Sequence, residues 1–174
     1  MCRTCPLLHR TDICGVVQRV SVPQAQVRFL PPLLMKFTAM KILTLIIKQK
    51  WFDAILSGEK TVETREVRPT NTKYISYRDN NTGKVYKKDS DVPESAWDSE
   101  KGVDTVINHY DAIQFWVGYE KNRPGALVEV KGVELVDVCD EETKEPIVYE
   151  HNGNEYTMTE IDYHLGKVIE KMNC

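Results

Sequence analysis

Long apolar segments are missing from this sequence, and no hydrophobic run approaches the roughly 18 residues that a membrane-spanning helix needs. The first residues also lack a continuous apolar region followed by small residues, so we expect no secretory signal. Cysteine is scarce and odd in number, with 5 in 174 residues, which is typical of proteins that keep free thiols in a reducing compartment. We therefore expect a cytoplasmic protein with no membrane partner.

Metal-binding patterns are also weak. Four potential zinc ligands lie near the start of the chain: Cys2, Cys5, His9 and Cys14. The first pair has the spacing of a zinc knuckle, but the rest is irregular, and closed zinc sites usually pair two knuckles. The other histidines show no ligand spacing. The sequence favours free thiols and predicts neither a metal site nor a cofactor.

Charge is nearly balanced overall but unevenly distributed. The net charge is -3, with 41% hydrophobic and 28% charged residues, which fits one soluble domain with a buried core. Basic residues outnumber acidic ones 11 to 5 over residues 41–88, whereas residues 89–174 carry 20 acidic and 7 basic residues. Such a chain can present one positive face to a nucleic acid, or the charges can stay unclustered in space.

Residues 1–39 differ in composition from the rest. They hold four of the eight prolines and a single acidic residue, Asp12, which suits a packed core poorly. Residues 16–22 and 27–30 can each form a brief strand. Our hypothesis is that residues 1–39 are a flexible extension, or an upstream stretch translated from an over-long gene model, and that the domain covers residues 40–174.

The first half of that domain reads as a strand over 41–48, an amphipathic helix over 50–57 and a strand over 61–67. A polar insertion follows over 69–104. Within it, residues 73–77 and 84–87 predict a hairpin whose tyrosines and lysines either stack along single-stranded nucleic acid or simply pair across the strands. We favour cross-strand pairing.

The second half predicts strands over 112–117 and 126–136, with a bulge or bend at Gly132. Residues 157–172 predict a helix, because the larger apolar side chains can share one helical face: Ile161, Leu165, Val168, Ile169 and Met172. The three tryptophans can form a base-stacking wall, although the apolar surroundings of Trp51 and Trp116 favour the core for these two.

The densest group of functional side chains lies between the first helix and the second strand, in Gly58-Glu59-Lys60-Thr61-Val62-Glu63-Thr64-Arg65. Gly58 is placed to end the helix in a left-handed conformation. Because alternate strand residues share a face, Glu63 and Arg65 point the same way. This spacing predicts a polar pocket that includes Lys60. The alternative is a solvated turn with a surface ion pair worth roughly 0–1 kcal/mol.

The apolar strand over 42–48, the helix over 51–57 and the G-x-K-x-x-E-x-R motif after it resemble the opening of the ASCH domain family. The resemblance implies an α+β fold, a small PUA-like β-barrel with flanking helices. It also implies a cleft that binds RNA or a modified nucleoside. Gly58, Lys60, Glu63 and Arg65 are the ligand-binding residues implied, and we expect no DNA partner.

Two alternatives stay open. The end of the chain resembles the last helix of small ASCH enzymes that remove acetyl from N4-acetylcytidine, whose catalytic set is a Lys, a Thr three residues later and a downstream Glu. Lys60 matches, Glu63 stands where the Thr is expected, and Glu155 is a candidate for the third position. In such a hydrolase, or in a ribonuclease, Glu63 would position a water and Lys60 would stabilise the oxyanion. The other alternative is a structural or partner-binding barrel.

Overall fold

The computed structural model of the protein describes residues 18–21 and 40–173. Its strands are, in chain order, β1 (Gln18–Ser21), β2 (Ile42–Ile47), β3 (Val62–Val67), β4 (Ile75–Asp79), β5 (Val85–Tyr86), β6 (Val103–Ile107), β7 (Ala112–Val117), β8 (Gly125–Asp137), β9 (Val148–His151), β10 (Asn154–Thr157) and β11 (Thr159–Met172). The helices are α1 (Gln49–Ser57) and α2 (Glu94–Trp97), with a 3-10 turn at Asp89–Asp91.

The largest sheet has the strand order β2-β7-β8-β11-β3, and β1 pairs with β8 beside this path. The neighbours β2 and β7 are parallel, whereas the other pairs of this sheet are antiparallel. The predicted β-rich α+β class is confirmed. Among the described residues the edge strands β2 and β3 do not pair, so the sheet does not close into a ring.

The core is formed by α1 and the strands of this sheet, together with Tyr74 and Ile107. Strand β2 alternates buried residues with exposed or half-buried ones, and α1 turns Phe52 and Ile55 inward against the sheet. The largest fully buried side chains come from α1, β7, β8 and β11: Tyr163, Phe52, Phe115, Ile113, Ile161 and Val128. The helix predicted over 50–57 and the strands predicted over 41–48, 61–67, 112–117 and 126–136 are confirmed within a few residues.

The polar insertion forms a second, three-stranded sheet in the order β5-β4-β6. The predicted hairpin is present with strand bounds that differ by one or two residues, and Tyr77 lies opposite Tyr86. Gly83 has a φ of 72° in its turn and donates its N–H to the Asp79 carbonyl at 2.8 Å. The expected aromatic cross-strand pair therefore exists. A third sheet consists of the β9-β10 hairpin.

The helix predicted over residues 157–172 is wrong, because this segment is strand β11. Ile161, Tyr163 and Leu165 are buried at every second position, which is the period of a strand. The segment runs between β8 and β3 and pairs with both. Two neighbouring strands provide its backbone hydrogen bonds, and this tertiary pairing outweighs the apolar stripe that a helix would have formed.

The irregularity predicted at Gly132 is confirmed. His164 of β11 lies opposite Gly132, but the next residue, Leu165, lies opposite Val130. Lys131 is therefore an extra residue on β8, which is the definition of a β-bulge. It bends β8 at the point where β1 begins to pair with it.

Several expectations concern residues outside the described part. The candidate zinc ligands and the brief strand over 27–30 lie there, while β1 falls within the brief strand expected over 16–22. Across residues 18–21 and 40–173, no group of three or more His, Cys, Asp or Glu side chains is arranged to hold a metal. No helix in this part of the chain is long and apolar enough to cross a membrane.

Candidate functional site

The junction between α1 and β3 sets the position of the predicted motif. Gly58 ends α1 with a φ of 80° and donates its N–H to the Ile55 carbonyl at 3.1 Å. Two residues later, the Lys60 N–H bonds the Ala54 carbonyl at 2.9 Å. The chain therefore folds back tightly over the end of the helix, and Lys60 lies beside α1, two residues before β3 begins at Val62.

Glu63 is held between two cations. Its Oε2 lies 3.1 Å from Lys60 Nζ, and its Oε1 lies 2.6 Å from Arg65 Nη2. The Glu63 side chain is only 6% exposed, whereas the Lys60 and Arg65 side chains are 22% and 30% exposed. The alternative of an ordinary surface ion pair is thus wrong for Glu63, whose charge is buried and compensated by two partners.

Backbone carbonyls fix the two cations in place. Lys60 Nζ donates to the Val62 carbonyl at 2.6 Å, and Arg65 Nη2 donates to the Ile46 carbonyl of β2 at 3.2 Å. An ammonium has three N–H donors, so Lys60 has one donor beyond those directed at Val62 and Glu63. Arg65 Nε is buried and has no hydrogen-bond partner within the described part of the chain.

These side chains form the floor of a cavity of about 790 Å³, called here the Glu63 cavity. Because β2 and β7 are parallel, their ends lie at the same edge of the sheet. Ile47 and Val117, which are paired there, line one wall. The start of α1 contributes Gln49 to the lining, and its first backbone N–H groups give this end a partial positive charge.

Two aromatic side chains stand at the mouth of the Glu63 cavity. Trp51 is 44% exposed and Tyr119 is 84% exposed, and both line the cavity. The Trp51 ring lies 5.0 Å from Lys50 Nζ and 5.5 Å from Lys60 Nζ, within the range of a cation–π contact. The prediction that Trp51 belongs to the core is wrong, because Phe52 and Ile55 take the inward face of α1. Trp116 is half-buried.

The structure brings together three of the predicted site residues, Lys60, Glu63 and Arg65. Gly58 does not line the cavity, and its part is to turn the chain toward it. Glu155 lies on β10 and lines a different cavity, so it is not brought together with Lys60.

The hydroxyl nearest in sequence to the expected Thr position is that of Thr64, and it is engaged by a side chain of β11. Thr64 Oγ1 bonds Asp162 Oδ1 of β11 at 2.5 Å, and these two residues are cross-strand partners. Thr64 contributes to the lining of the Glu63 cavity, but its hydroxyl is engaged by this carboxylate of β11. The side chain of Thr64 therefore does not replace the Thr of the acetylcytidine hydrolases.

Known proteins offer no match to this chain: no family model, curated protein or solved structure matches it. The ASCH resemblance therefore stays a hypothesis, and the function has to be argued from the Glu63 cavity itself.

Sequence reasoning missed the residues around the motif, namely Lys48, Gln49 and Tyr119. A signal existed for Tyr119, which follows Gly118 directly after an apolar strand. Ligand sites often lie beyond the carboxyl ends of parallel strands. What the sequence did not reveal is that β2 and β7 are parallel neighbours, since the insertion separates them along the chain.

Proposed function

We propose that the Glu63 cavity binds a nucleoside of RNA, in free form or within a single strand, and that the domain is an RNA-binding module of the PUA-like ASCH type. The observation that carries this proposal is the buried Glu63 carboxylate, clamped by Lys60 and Arg65 at the floor of an open cavity. A pair that served only the fold would not need a cavity above it.

The size of the Glu63 cavity suits this ligand. Pockets for small molecules have volumes of about 300–1,000 Å³, and this cavity measures about 790 Å³. It therefore has room for a base and its ribose. Apolar atoms of Ile47 and Val117 line it beside the polar floor, which matches a flat aromatic ring with polar edges.

The polar floor offers both kinds of hydrogen-bonding group. A carboxylate has about four lone-pair sites, and Lys60 and Arg65 are directed at one oxygen each. Glu63 can therefore also accept from the amino group of a base. The further N–H of Lys60 can donate to a base carbonyl. Such contacts to base edges carry specificity in single-stranded RNA.

The mouth supplies stacking and positive charge. Exposed rings such as Trp51 and Tyr119 stack on bases with little dependence on sequence. Lys48 and Lys60 line the Glu63 cavity, and Lys50 contacts the Trp51 ring. These cations favour a phosphate backbone at the mouth, so binding should weaken as salt is raised.

The proposal is tested by fluorescence anisotropy with labelled single-stranded RNA of mixed sequence, and by calorimetry with nucleosides that include cytidine and N4-acetylcytidine. We expect Trp51→Ala and Lys60→Ala each to weaken RNA binding about tenfold. Lys84→Ala is the matched control, because Lys84 is exposed and contacts Tyr86 away from the cavity. DNA of the same sequence should bind more weakly, since it lacks the 2′-hydroxyl.

The proposal would be contradicted if Trp51→Ala and Lys60→Ala bound RNA as tightly as the wild type and the Lys84→Ala control. An absence of binding to every RNA and nucleoside would favour the structural or partner-binding alternative.

The hydrolase alternative is favoured by one observation, the 3.1 Å contact between Lys60 and Glu63 inside the cavity. Here Glu63 would orient a water, and Lys60, which already donates to Val62 and Glu63, would act as an oxyanion donor and not as a base. Incubation with N4-acetylcytidine followed by chromatography tests it. Release of cytidine by the wild type but not by Glu63→Gln would establish the enzyme, and unchanged substrate would exclude this reaction.

A further inference from the structure

A second and larger cavity lies at the other end of β3 from the Glu63 cavity. Its volume is about 1060 Å³, and its walls come from β4 and β6, from the segment that contains α2, and from the β9-β10 hairpin. Four aromatic residues line it, and we call it the tyrosine cleft after them: Tyr77, Trp97, Tyr149 and Tyr156.

The rings of the tyrosine cleft form two neighbouring pairs. The centroids of Tyr77 and Trp97 are 6.2 Å apart with the rings edge to face, and those of Tyr149 and Tyr156 are 6.1 Å apart in a stacked arrangement. Burial raises the pKa of Tyr77 to about 12, and the nearby Asp89, Tyr156 and Tyr149 add to this increase. Both ring pairs line the same cleft, and Asp89 lies near Tyr77 and accepts a hydrogen bond from Tyr156.

Carboxylates dominate the charge of this cleft. Asp89 Oδ2 accepts a hydrogen bond from the Tyr156 hydroxyl at 2.5 Å, which places this carboxylate beside the rings. Four acidic residues line the cleft: Asp89, Glu94, Asp137 and Glu155. Arg68, Lys88 and His151 also line it, and the Arg68 guanidinium is engaged by Glu66 at 2.7 Å.

We propose that the tyrosine cleft binds a lysine or arginine side chain presented by a basic peptide segment of a partner protein. Aromatic faces attract ammonium and guanidinium groups, and a carboxylate beside them adds charge complementarity. The same carboxylates repel phosphate, which disfavours RNA here even though the rings could stack on bases. The cleft is also larger than one cationic side chain needs, so it has room for the residues that flank it in an extended peptide.

The test uses the full chain and anisotropy of labelled hexa-arginine and hexa-lysine peptides, with hexa-glutamate as the negative probe. We expect both basic peptides to bind and hexa-glutamate not to bind. Asp89→Asn keeps an oxygen that can accept from Tyr156 but removes the charge, and Trp97→Ala removes a ring that is 45% exposed. Each should weaken binding about tenfold.

Two controls separate this cleft from other charges and from the Glu63 cavity. Asp98→Asn changes a neighbouring exposed carboxylate that does not line the cleft, and Lys60→Ala alters the Glu63 cavity. Both should bind the basic peptides like the wild type. Circular dichroism of every variant checks the fold, so that a loss of binding is not mistaken for unfolding.

Four results would overturn the proposal. The first is that neither basic peptide binds, and the second is that Asp89→Asn and Trp97→Ala bind the peptides as tightly as the wild type. The third is that spermidine binds as tightly as the peptides. The fourth is that single-stranded RNA binds and that Trp97→Ala weakens this binding. The last result would assign the cleft to nucleic acid. None of them depends on whether the Glu63 cavity binds a nucleoside, because Lys60→Ala reports on that cavity separately.

Discussion

At the scale of single residues, Glu63 is the side chain on which the Glu63 cavity depends. A buried carboxylate has lost most of its hydration, and only close cations and donors offset that loss. Lys60 and Arg65 supply them at 3.1 and 2.6 Å. The same arrangement holds the two cations close together, so removing the carboxylate leaves like charges facing each other.

We therefore expect Glu63→Ala to lower the free energy of unfolding by about 2 kcal/mol. The value is below that of a fully buried pair, because Lys60 and Arg65 are partly exposed and can turn toward solvent. Urea denaturation followed by circular dichroism measures it.

The control for this variant lies on the other face of the same strand. Glu66 pairs with Arg68 at 2.7 Å, but both side chains are exposed, at 37% and 65%. Glu66→Ala should change stability by no more than about 0.5 kcal/mol. If the two variants cost the same, the burial of Glu63 would have no energetic consequence and the clamp would be an ordinary surface contact.

At the scale of elements, the short turn after α1 decides where the motif points. Gly58 has a φ of 80°, and a Cβ built at this position would meet nothing within 4 Å. Its requirement for glycine is therefore conformational and not steric.

Gly58→Ala should cost about 1 kcal/mol of stability through this left-handed conformation. Gly58→Asn should cost less, because asparagine tolerates the region better. Thermal or urea unfolding of both variants measures the difference. Equal costs would mean that the turn relaxes to a different conformation.

Strand β11 shows which signals in the sequence are local and which are not. The end of α1 at Gly58 and the bulge beside Gly132 follow from the residues at those positions, and both were predictable. Residues 159–172 carry a strand period at Ile161, Tyr163 and Leu165 together with a helical stripe. Pairing with β8 and β3 decides between them, and that pairing is not visible in the segment itself.

Two isoleucines in β11 test this assignment directly. In a helix, Ile161 and Ile169 would share the buried stripe, but in the structure Ile161 is fully buried and Ile169 is 42% exposed. Ile161→Ala should therefore cost about 3 kcal/mol, and Ile169→Ala less than about 1 kcal/mol. Urea denaturation measures the free energy of unfolding of both variants. If both lost a similarly large amount, the assignment of this segment as a strand would be wrong and a helix would be favoured.

The β9-β10 hairpin has a clear signal in the sequence, the pair Asn152-Gly153, which the sequence analysis did not use. Asn152 and Gly153 both have positive φ, at 52° and 79°, and Asn-Gly is the preferred pair for a tight hairpin turn. The turn places Tyr149 opposite Tyr156. The hairpin was predictable from this pair, but its position over the insertion was not, because that depends on contacts between distant segments.

At the scale of the whole molecule, the uneven distribution of charge along the chain is reflected in two cavities whose linings differ in the sign of their charge. Three cations from residues 48–65 line the Glu63 cavity, whereas four carboxylates from residues 89–155 line the tyrosine cleft. Strand β3 connects the two sites, with Glu63 near its start and Val67 at its end.

Buried tyrosines give the molecule a characteristic response to alkaline pH. Burial raises the pKa of Tyr163 above its usual range, and burial together with Asp89 raises the pKa of Tyr77 to about 12. Between the ordinary value near 10 and these raised values, the unfolded chain loses protons that the folded chain keeps. Stability from these groups is complete below pH 10 and is lost as the pH rises above it.

We therefore expect the free energy of unfolding to fall with increasing pH above about 10, and the fall to be shallower in Tyr77→Phe, which has no phenol to ionise. Urea denaturation over a series of pH values measures both slopes. Asp104→Asn is the control, because hydrogen bonds from Asn80 and Arg78 lower the pKa of Asp104, so its contribution is lost only as the pH falls into the acid range. If Tyr77→Phe had the same alkaline slope as the wild type, the Tyr77 phenol would titrate alike in both states, and its burial beside Asp89 would not hold in solution.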